Sequence, residues 1–199
     1  PIYIDFGPTS LSATPWNNIT SHQESSTSSW IKDAENNYTN IGVRVLGGFT
    51  ATHAGVGSEP ASPVTVDGVE FPLTAWKDGL LVRGEKNQGD VGPGRIEISQ
   101  LDAARKYNFT ILAIRFNGSK DARISSYKLI GKTESAVKEV KTGIKDVASF
   151  NAANFEEYIA KFENVEPDSE GKVIVEVKGL DTGSAAEGHI NALCINLVK

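Results

Sequence analysis

The run Tyr107-Asn108-Phe109-Thr110-Ile111-Leu112-Ala113-Ile114-Arg115-Phe116 leads into Asn117-Gly118-Ser119-Lys120-Asp121 and then into Ala122-Arg123-Ile124-Ser125-Ser126-Tyr127-Lys128-Leu129-Ile130-Gly131. Two β-rich runs flank a cluster of turn formers that opens with Asn-Gly, the dipeptide that most readily supplies positive φ in a tight reversal. The stretch therefore predicts a hairpin. Residues 111–114 are apolar without alternation, as a strand covered on both faces requires, so the first strand is expected to be central.

Outward from this stretch the same signals repeat. Ile2-Tyr3-Ile4-Asp5-Phe6 ends at Gly7-Pro8 and reads as a strand. Residues 41–46, 64–66, 69–71, 80–83, 95–98, 136–140, 173–177 and 190–198 read as further strands, with Gly, Pro, Asn and Asp clusters between them. The only helical pattern is at residues 147–161, where Asn154 caps at most one short turn and residues 159–165 read equally well as a strand. About ten short strands with so little helix predict an all-β fold, a jelly-roll β-sandwich of two antiparallel sheets. Residues 1–199 are read as one domain, with no internal repeat.

Two long polar segments break the pattern. Residues 9–29 are rich in Ser, Thr, Asn and Pro and are expected to form an ordered loop with Trp16 and Trp30 as apolar anchors at its ends. Residues 50–63 form a second loop around His53.

Composition excludes some partners. A formal net charge of -5, with no long run of like charge, argues against nucleic acid, which is bound through a cationic surface. No apolar run approaches the roughly 20 residues that span a bilayer, so no membrane insertion of the chain is expected. The single Cys194 cannot form an internal disulfide and sits in an apolar run as a small hydrophobe. The chain opens at Pro1 and contains no Met, which reads as a processed or trimmed chain, part of a larger multidomain protein.

Several phrases, in this chain order, resemble the galactose-binding-like, malectin-like jelly-roll domains that serve as accessory modules of secreted bacterial glycan-acting proteins. They are Ile2-Tyr3-Ile4-Asp5-Phe6-Gly7, Trp16-Asn17-Asn18-Ile19-Thr20, Trp76-Lys77-Asp78-Gly79-Leu80, Ile98-Ser99-Gln100-Leu101-Asp102 before Tyr107-Asn108-Phe109, Tyr127-Lys128-Leu129-Ile130-Gly131, Phe162-Glu163-Asn164-Val165-Glu166-Pro167, and Ile190-Asn191-Ala192-Leu193. The resemblance covers most of the chain. It implies a jelly roll in a secreted, periplasmic or cell-surface setting, with oligosaccharide or polysaccharide as the partner.

Sugar binding needs aromatic faces for the apolar sides of pyranose rings and planar polar groups for the hydroxyls, carried on loops. The loops hold Trp16, Trp30, Tyr38 and Trp76, with Asn17, Asn18, Asn36, Asn37, His53, Asn87 and Gln88 nearby. The candidate carbohydrate-binding set is Trp76, Trp30, Trp16, Asn17, His53, Arg83 and Asn87, with Trp76 foremost because Lys77-Asp78-Gly79 reads as an exposed turn. The alternative for each Trp is a place in the core. Arg44, Arg83, Arg115 and Arg123 recur within strands and could together take the carboxylate of an acidic sugar. Their alternative is ion pairing with strand acids such as Glu97 or Glu176.

Other chemistry is weaker in the sequence. Turn carboxylates Asp67, Asp78, Asp90 and Asp168 suit a structural calcium, without the regular spacing of a calcium loop, so no cofactor is assigned. His22, His53 and His189 lack the spacing of a zinc site. Gly-x-Ser-x-Gly is absent, and Tyr127, His189 and Arg115 supply the residue types of a jelly-roll lyase without a motif, so no catalytic residue is assigned. Asn18, Asn37, Asn108 and Asn117 each open an Asn-x-Ser/Thr triplet, a glycosylation signal only in a eukaryotic secreted protein. The expected function is a non-catalytic carbohydrate-binding module. The alternatives are a structural or protein-interaction sandwich, or a polysaccharide-degrading enzyme.

Overall fold

The computed structural model describes residues 1–54, 63–83, 93–116, 123–144, 152–180 and 187–199. Two main sheets face each other. The first has five strands in the order β15-β10-β18-β1-β2, formed by Ile159–Val165, Tyr107–Leu112, Ala192–Leu197, Ile2–Phe6 and Asn17–Ile19. The second has six, β13-β12-β16-β9-β4-β3, formed by Lys138–Lys141, Ile124–Ile130, Val173–Gly179, Gly94–Ser99, Gly42–Gly47 and Thr27–Ser28. Both are antiparallel apart from β2, which runs parallel to β1. The fold is the expected all-β sandwich.

Strand periodicity sorts the side chains between two cores. The inner faces meet through Ile4, Phe6, Phe109, Ile111, Leu193 and Ile195 of the first sheet and Val43, Val45, Ile96, Ile98, Tyr127, Leu129, Val173, Val175 and Val177 of the second. On the far side of the first sheet a second cluster holds Leu112, Ile114, Ala192 and Cys194, with Tyr3 and Trp16 packed against it. Its cover is a small hairpin of β6 (Val64–Val66) and β7 (Val69–Phe71), the one-turn helix α1 (Thr74–Lys77) and a 3-10 helix, Ala152–Tyr158. The hairpin turn Asp67-Gly68 has positive φ at both residues, 49° and 76°, as a tight two-residue reversal requires. Burial on both faces explains the unbroken apolar run at residues 111–114: Ile111 and Ala113 point to the inner core, Leu112 and Ile114 to the outer one.

The expected hairpin does not form. β10 pairs with β15 and β18, while β12 pairs with β13 and β16 in the opposite sheet. Asn117-Gly118 lies outside the described residues. The chain leaves the first sheet at Ala113 and Ile114, whose amides go to the Tyr158 carbonyl and to Asn191 Oδ1. It then forms β11 (Arg115–Phe116), which runs parallel to β14 (Gly143–Ile144). Adjacent turn formers could not reveal that each run has better-matched partners far away in sequence.

A small sheet, β17-β8-β5, closes one end of the sandwich: Glu187–Ile190, Asp78–Arg83 and Ala51–Ala54. His53, expected in a loop, is therefore a strand residue, and the turn expected at Lys77-Asp78-Gly79 is instead the start of β8. Gly79 sits opposite His53, and a Cβ there would stand 2.5 Å from the Ile190 carbonyl oxygen, so only glycine fits between these strands. The helical turn near Phe155 is present, and α1 adds another four residues.

Candidate functional site

The three tryptophans separate into three environments. Trp76 is 2 % exposed, lies 5.0 Å from the Phe155 ring and donates its Nε1–H to the Phe71 carbonyl, so it belongs to the outer core. The expectation of an accessible indole beside an exposed turn is thus corrected: α1 turns Trp76 under the β6–β7 hairpin, and Asp78 beside it is itself buried. Trp16 is half-buried and stacks on Tyr3 at 5.2 Å, with Phe71 at 5.7 Å. Trp30 is 67 % exposed.

Trp30 opens a short ribbon spanning residues 30–41. Ile31 beneath it is buried in the inner core, and its backbone is held by Ile31 N–H to Ile41 O and Thr39 N–H to Ile31 O. Lys32 bridges to Tyr38, whose ring is 73 % exposed and carries the Lys32 ammonium 5.1 Å from its centroid. Asp33 closes the tip: its Oδ1 accepts the Glu35 and Asn37 amides, both at 2.9 Å. These bonds, the Asn37 amide first, hold the Asp33 carboxyl below the usual carboxylate range.

Asn17 ties this ribbon to the sandwich. Its Nδ2 donates to the carbonyls of Tyr3 and Lys32, both at 2.9 Å, and its Oδ1 accepts the Lys32 amide at 2.8 Å. Ile2 bridges to Asp33, and the Ala34 amide reaches the Pro1 carbonyl. The result is a braced edge that presents Trp30 and Tyr38 to solvent. Trp30 sits in a bend at φ 59°, a left-handed conformation that costs a bulky residue energy, with its indole in water. Such an edge supplies flat apolar faces, with Lys32, Asn36 and Asn37 as polar neighbours able to donate to hydroxyls.

The other expected site residues lie elsewhere. His53 and Arg83 belong to the small end sheet, where His53 is buried and Arg83 is exposed opposite Glu187. Asn87 lies outside the described residues. Ile2 pairs with Ile195 at one end of the first sheet and Asp5 with Ala192 at the other, which separates the Trp30 ribbon from the His53 end by the length of β1. The structure thus brings together Trp30 and Asn17, not the whole expected set. Sequence reading missed Lys32 and Asp33 as parts of the ribbon; the only local hint was the Asx-type spacing of Asp33 to Glu35 and Asn37.

The strand arginines pair with acids on the outer face of the six-stranded sheet: Arg44 with Glu97 at 3.4 Å and Arg95 with Glu176 at 2.8 Å. Arg123 pairs with Glu187 at 2.9 Å. Among the described residues no group of three or more His, Cys, Asp or Glu side chains is placed to hold a metal ion, and no helix is long and apolar enough to cross a membrane.

No known family's profile matches the sequence, and no curated protein matches it. Similarity appears in solved structures. The ANX2 ectodomain from Arabidopsis thaliana superposes with a TM-score of 0.54 over 78 % of this chain at 9 % identity, and the match spans 42 % of that ectodomain. TmCBM61, solved in complex with beta-1,4-galactotriose, is similar over 61 % of this chain and 72 % of its own at 14 % identity, with a TM-score of 0.35. The plant receptor-like kinase ANX1 is similar over 87 % of this chain and 54 % of its own, at 8 % identity and a TM-score of 0.42. The first of these shows a shared fold.

Proposed function

We propose that this chain is a non-catalytic carbohydrate-binding β-sandwich module of a secreted or cell-surface protein, and that it holds sugar against the Trp30–Tyr38 ribbon. The observation that carries this reading is the exposed indole of Trp30, strained into a left-handed backbone and braced by Ile31 and Asn17. An apolar ring held rigidly in water has little conformational entropy left to lose when a pyranose stacks on it. Tyr38 would extend the platform, and the amides of Asn36 and Asn37 would take hydroxyls. The ANX2 fold likeness supports a module of this architecture.

Titration against a panel of neutral and acidic oligosaccharides, followed by calorimetry and tryptophan fluorescence, tests the reading. Binding should weaken by about tenfold or more in Trp30→Ala, the loss of one stacking face, while the fold survives. Silence across the panel, or an affinity untouched by Trp30→Ala, would overturn it.

A further inference from the structure

A groove lies at the ribbon end of the sandwich, away from the end where the His53 and His189 rings meet edge-on at 4.8 Å. Register fixes its placement: Ile2, which bridges to Asp33 of the ribbon, pairs with Ile195, Ile195 with Phe109, and Phe109 with Phe162 of β15. Just beyond Phe162 the strand bulges. Its pairing with β10 passes from Phe109–Phe162 to Tyr107–Val165, so Glu163 and Asn164 together stand opposite Asn108. Asn164 takes a φ of 57°, and its amide donates to Asn108 Oδ1 at 2.9 Å, which fastens the bulge. The exposed side chains of Glu163, Asn164 and Thr133 line an open groove of about 330 Å³ between β15 and the turn that follows β12.

The walls of this groove are firm. The Lys132 amide donates to the Glu166 carbonyl at 2.9 Å and its ammonium to Glu166 Oε2 at 2.8 Å, while Lys106 holds Glu166 Oε1 at 3.1 Å. A Cβ on Gly131 would strike the Glu166 carbonyl oxygen, so only glycine lets the turn close onto the strand. Ser135 Oγ accepts the Leu129 amide and donates to the Ala136 carbonyl, both at 2.9 Å. Lys132, Glu166 and Ser135 thus commit their polar atoms to the frame. Glu163, Asn164 and Thr133 do not: among the described residues their side chains have no hydrogen-bond or ion-pair partner.

A carboxylate beside an amide supplies acceptors and donors for neighbouring hydroxyls of one sugar ring, and half-buried Val165 gives an apolar floor for its C–H side. The volume suits one ring, since small-molecule sites begin at about 300 Å³. A sugar acid would bring a second negative charge to Glu163, whereas a neutral ring meets no such repulsion.

We propose that the groove over the Glu163–Asn164 bulge is a second carbohydrate subsite, which takes one neutral pyranose with Glu163 and Asn164 on its hydroxyls and Val165 beneath it. The sugar class rests on the carbohydrate reading above; the subsite uses no residue of the Trp30 ribbon. A bulge that turns two polar side chains out of the ladder and holds them over a fixed frame leaves little to be ordered on binding.

The full chain, labelled with nitrogen-15, would be titrated separately with glucose, galactose, mannose, xylose and sodium glucuronate. The Asn164 side-chain amide and the Trp30 indole N–H report on the two sites separately. At least one neutral sugar should move the Asn164 signal to saturation, and glucuronate should bind there several-fold more weakly. Glu163→Ala should weaken that binding by about ten- to a hundredfold, the worth of a hydrogen bond to a charged group, and Glu163→Gln should narrow the gap to glucuronate. Asn164→Gly keeps the left-handed backbone and removes the amide; it should weaken binding about three- to tenfold, read from the Glu163 backbone signal. All three variants should keep the wild-type melting temperature, because both positions are exposed. Trp30→Ala should leave the Asn164 response intact. A silent Asn164 beside a moving Trp30 signal sinks this proposal alone, and the reverse sinks the ribbon alone. Silence at Asn164 across the neutral sugars, unchanged affinity in Glu163→Ala, or glucuronate binding as tightly as the best neutral sugar would each overturn the proposal.

Discussion

Asn191 and Ile114 exchange both hydrogen bonds of a peptide group: Asn191 Oδ1 accepts the Ile114 amide at 2.9 Å, and Asn191 Nδ2 donates to the Ile114 carbonyl at 3.0 Å. The same Nδ2 reaches the carbonyls of Trp76 and Asp78. One fully buried side chain therefore stitches together the exit of β10, the end of α1 and the gap between β17 and β18. Leucine, with the same branching and no polar atoms, would remove the acceptor of the Ile114 amide and the donor that reaches three carbonyls. Asn191→Leu should lower unfolding free energy by about 3 kcal/mol or more in urea titration. A loss under about 1 kcal/mol would mean that water replaces the side chain.

Trp76 and Trp30 should behave in opposite ways. Trp76→Ala empties a position in the outer core and should cost about 3–5 kcal/mol of stability. Trp30→Ala touches only the exposed edge and should stay within about 0.5 kcal/mol of the wild type. Chemical denaturation of both variants checks the pair.

Asp5 should impose an inverted pH dependence. Burial, reinforced by the Asp78 carboxylate and opposed by the Ser12 hydrogen bonds, raises its pKa from 3.8 to about 7. Between these values the native state holds a proton that the unfolded chain has released. The stability from this group is therefore complete below 3.8 and is lost as pH rises to about 7. Asp5→Asn mimics the protonated acid. It should match the wild type near pH 4 and exceed it by on the order of 4 kcal/mol above pH 7, as read by urea denaturation across that range. His189, depressed by burial, works in the other direction and cancels in this difference because it is common to both proteins.

Cys194 should be inert in the folded chain. Burial lifts its thiol to about 12, and Asn196 Nδ2 lies 3.5 Å from the sulfur. A thiol reagent at pH 8 should label it only at the rate of opening, and labelling should become fast in denaturant. Rapid labelling under native conditions would place β18 among segments that open easily.

Gly79→Ala should disrupt the small end sheet, because the added carbon meets the Ile190 carbonyl at 2.5 Å and His53 Nε2 at 2.8 Å. A loss of about 1–3 kcal/mol in thermal or urea unfolding is expected, since neither neighbour can move without breaking strand pairing or the His53–His189 contact.

Strand identity was largely legible before the structure, because period-2 burial and turn formers act over a few residues. Residues 2–6, 64–66, 69–71, 95–98 and 173–177 all lie within observed strands. The continuous apolar run at residues 111–114 correctly marked a strand covered on both faces. Partner choice was not legible: the Asn-Gly signal suggested a local reversal, whereas β10 pairs with the distant β15 and β18, and β12 pairs in the opposite sheet with the nearby β13 and the distant β16.

The site shows the same division. The sequence by itself determined the residue types available, three loop-side tryptophans, a set of strand arginines and a polar segment around Asn17, because these depend only on composition and order. Which tryptophan meets water was decided by tertiary structure alone. Trp76 is drawn under a hairpin that exists only once β6 and β7 pair, and Trp16 finds Tyr3 across two strands. Trp30 is left outside because Ile31 takes the inward position beside it. Arg115 likewise differs from Arg44 and Arg95 only in its surroundings. Those two reach an acid across a solvated sheet face, whereas Arg115 is half-buried with its Nε and Nη1 enclosed and without a hydrogen-bond partner. Burial and pairing are properties of the packed whole, so no local pattern encodes them.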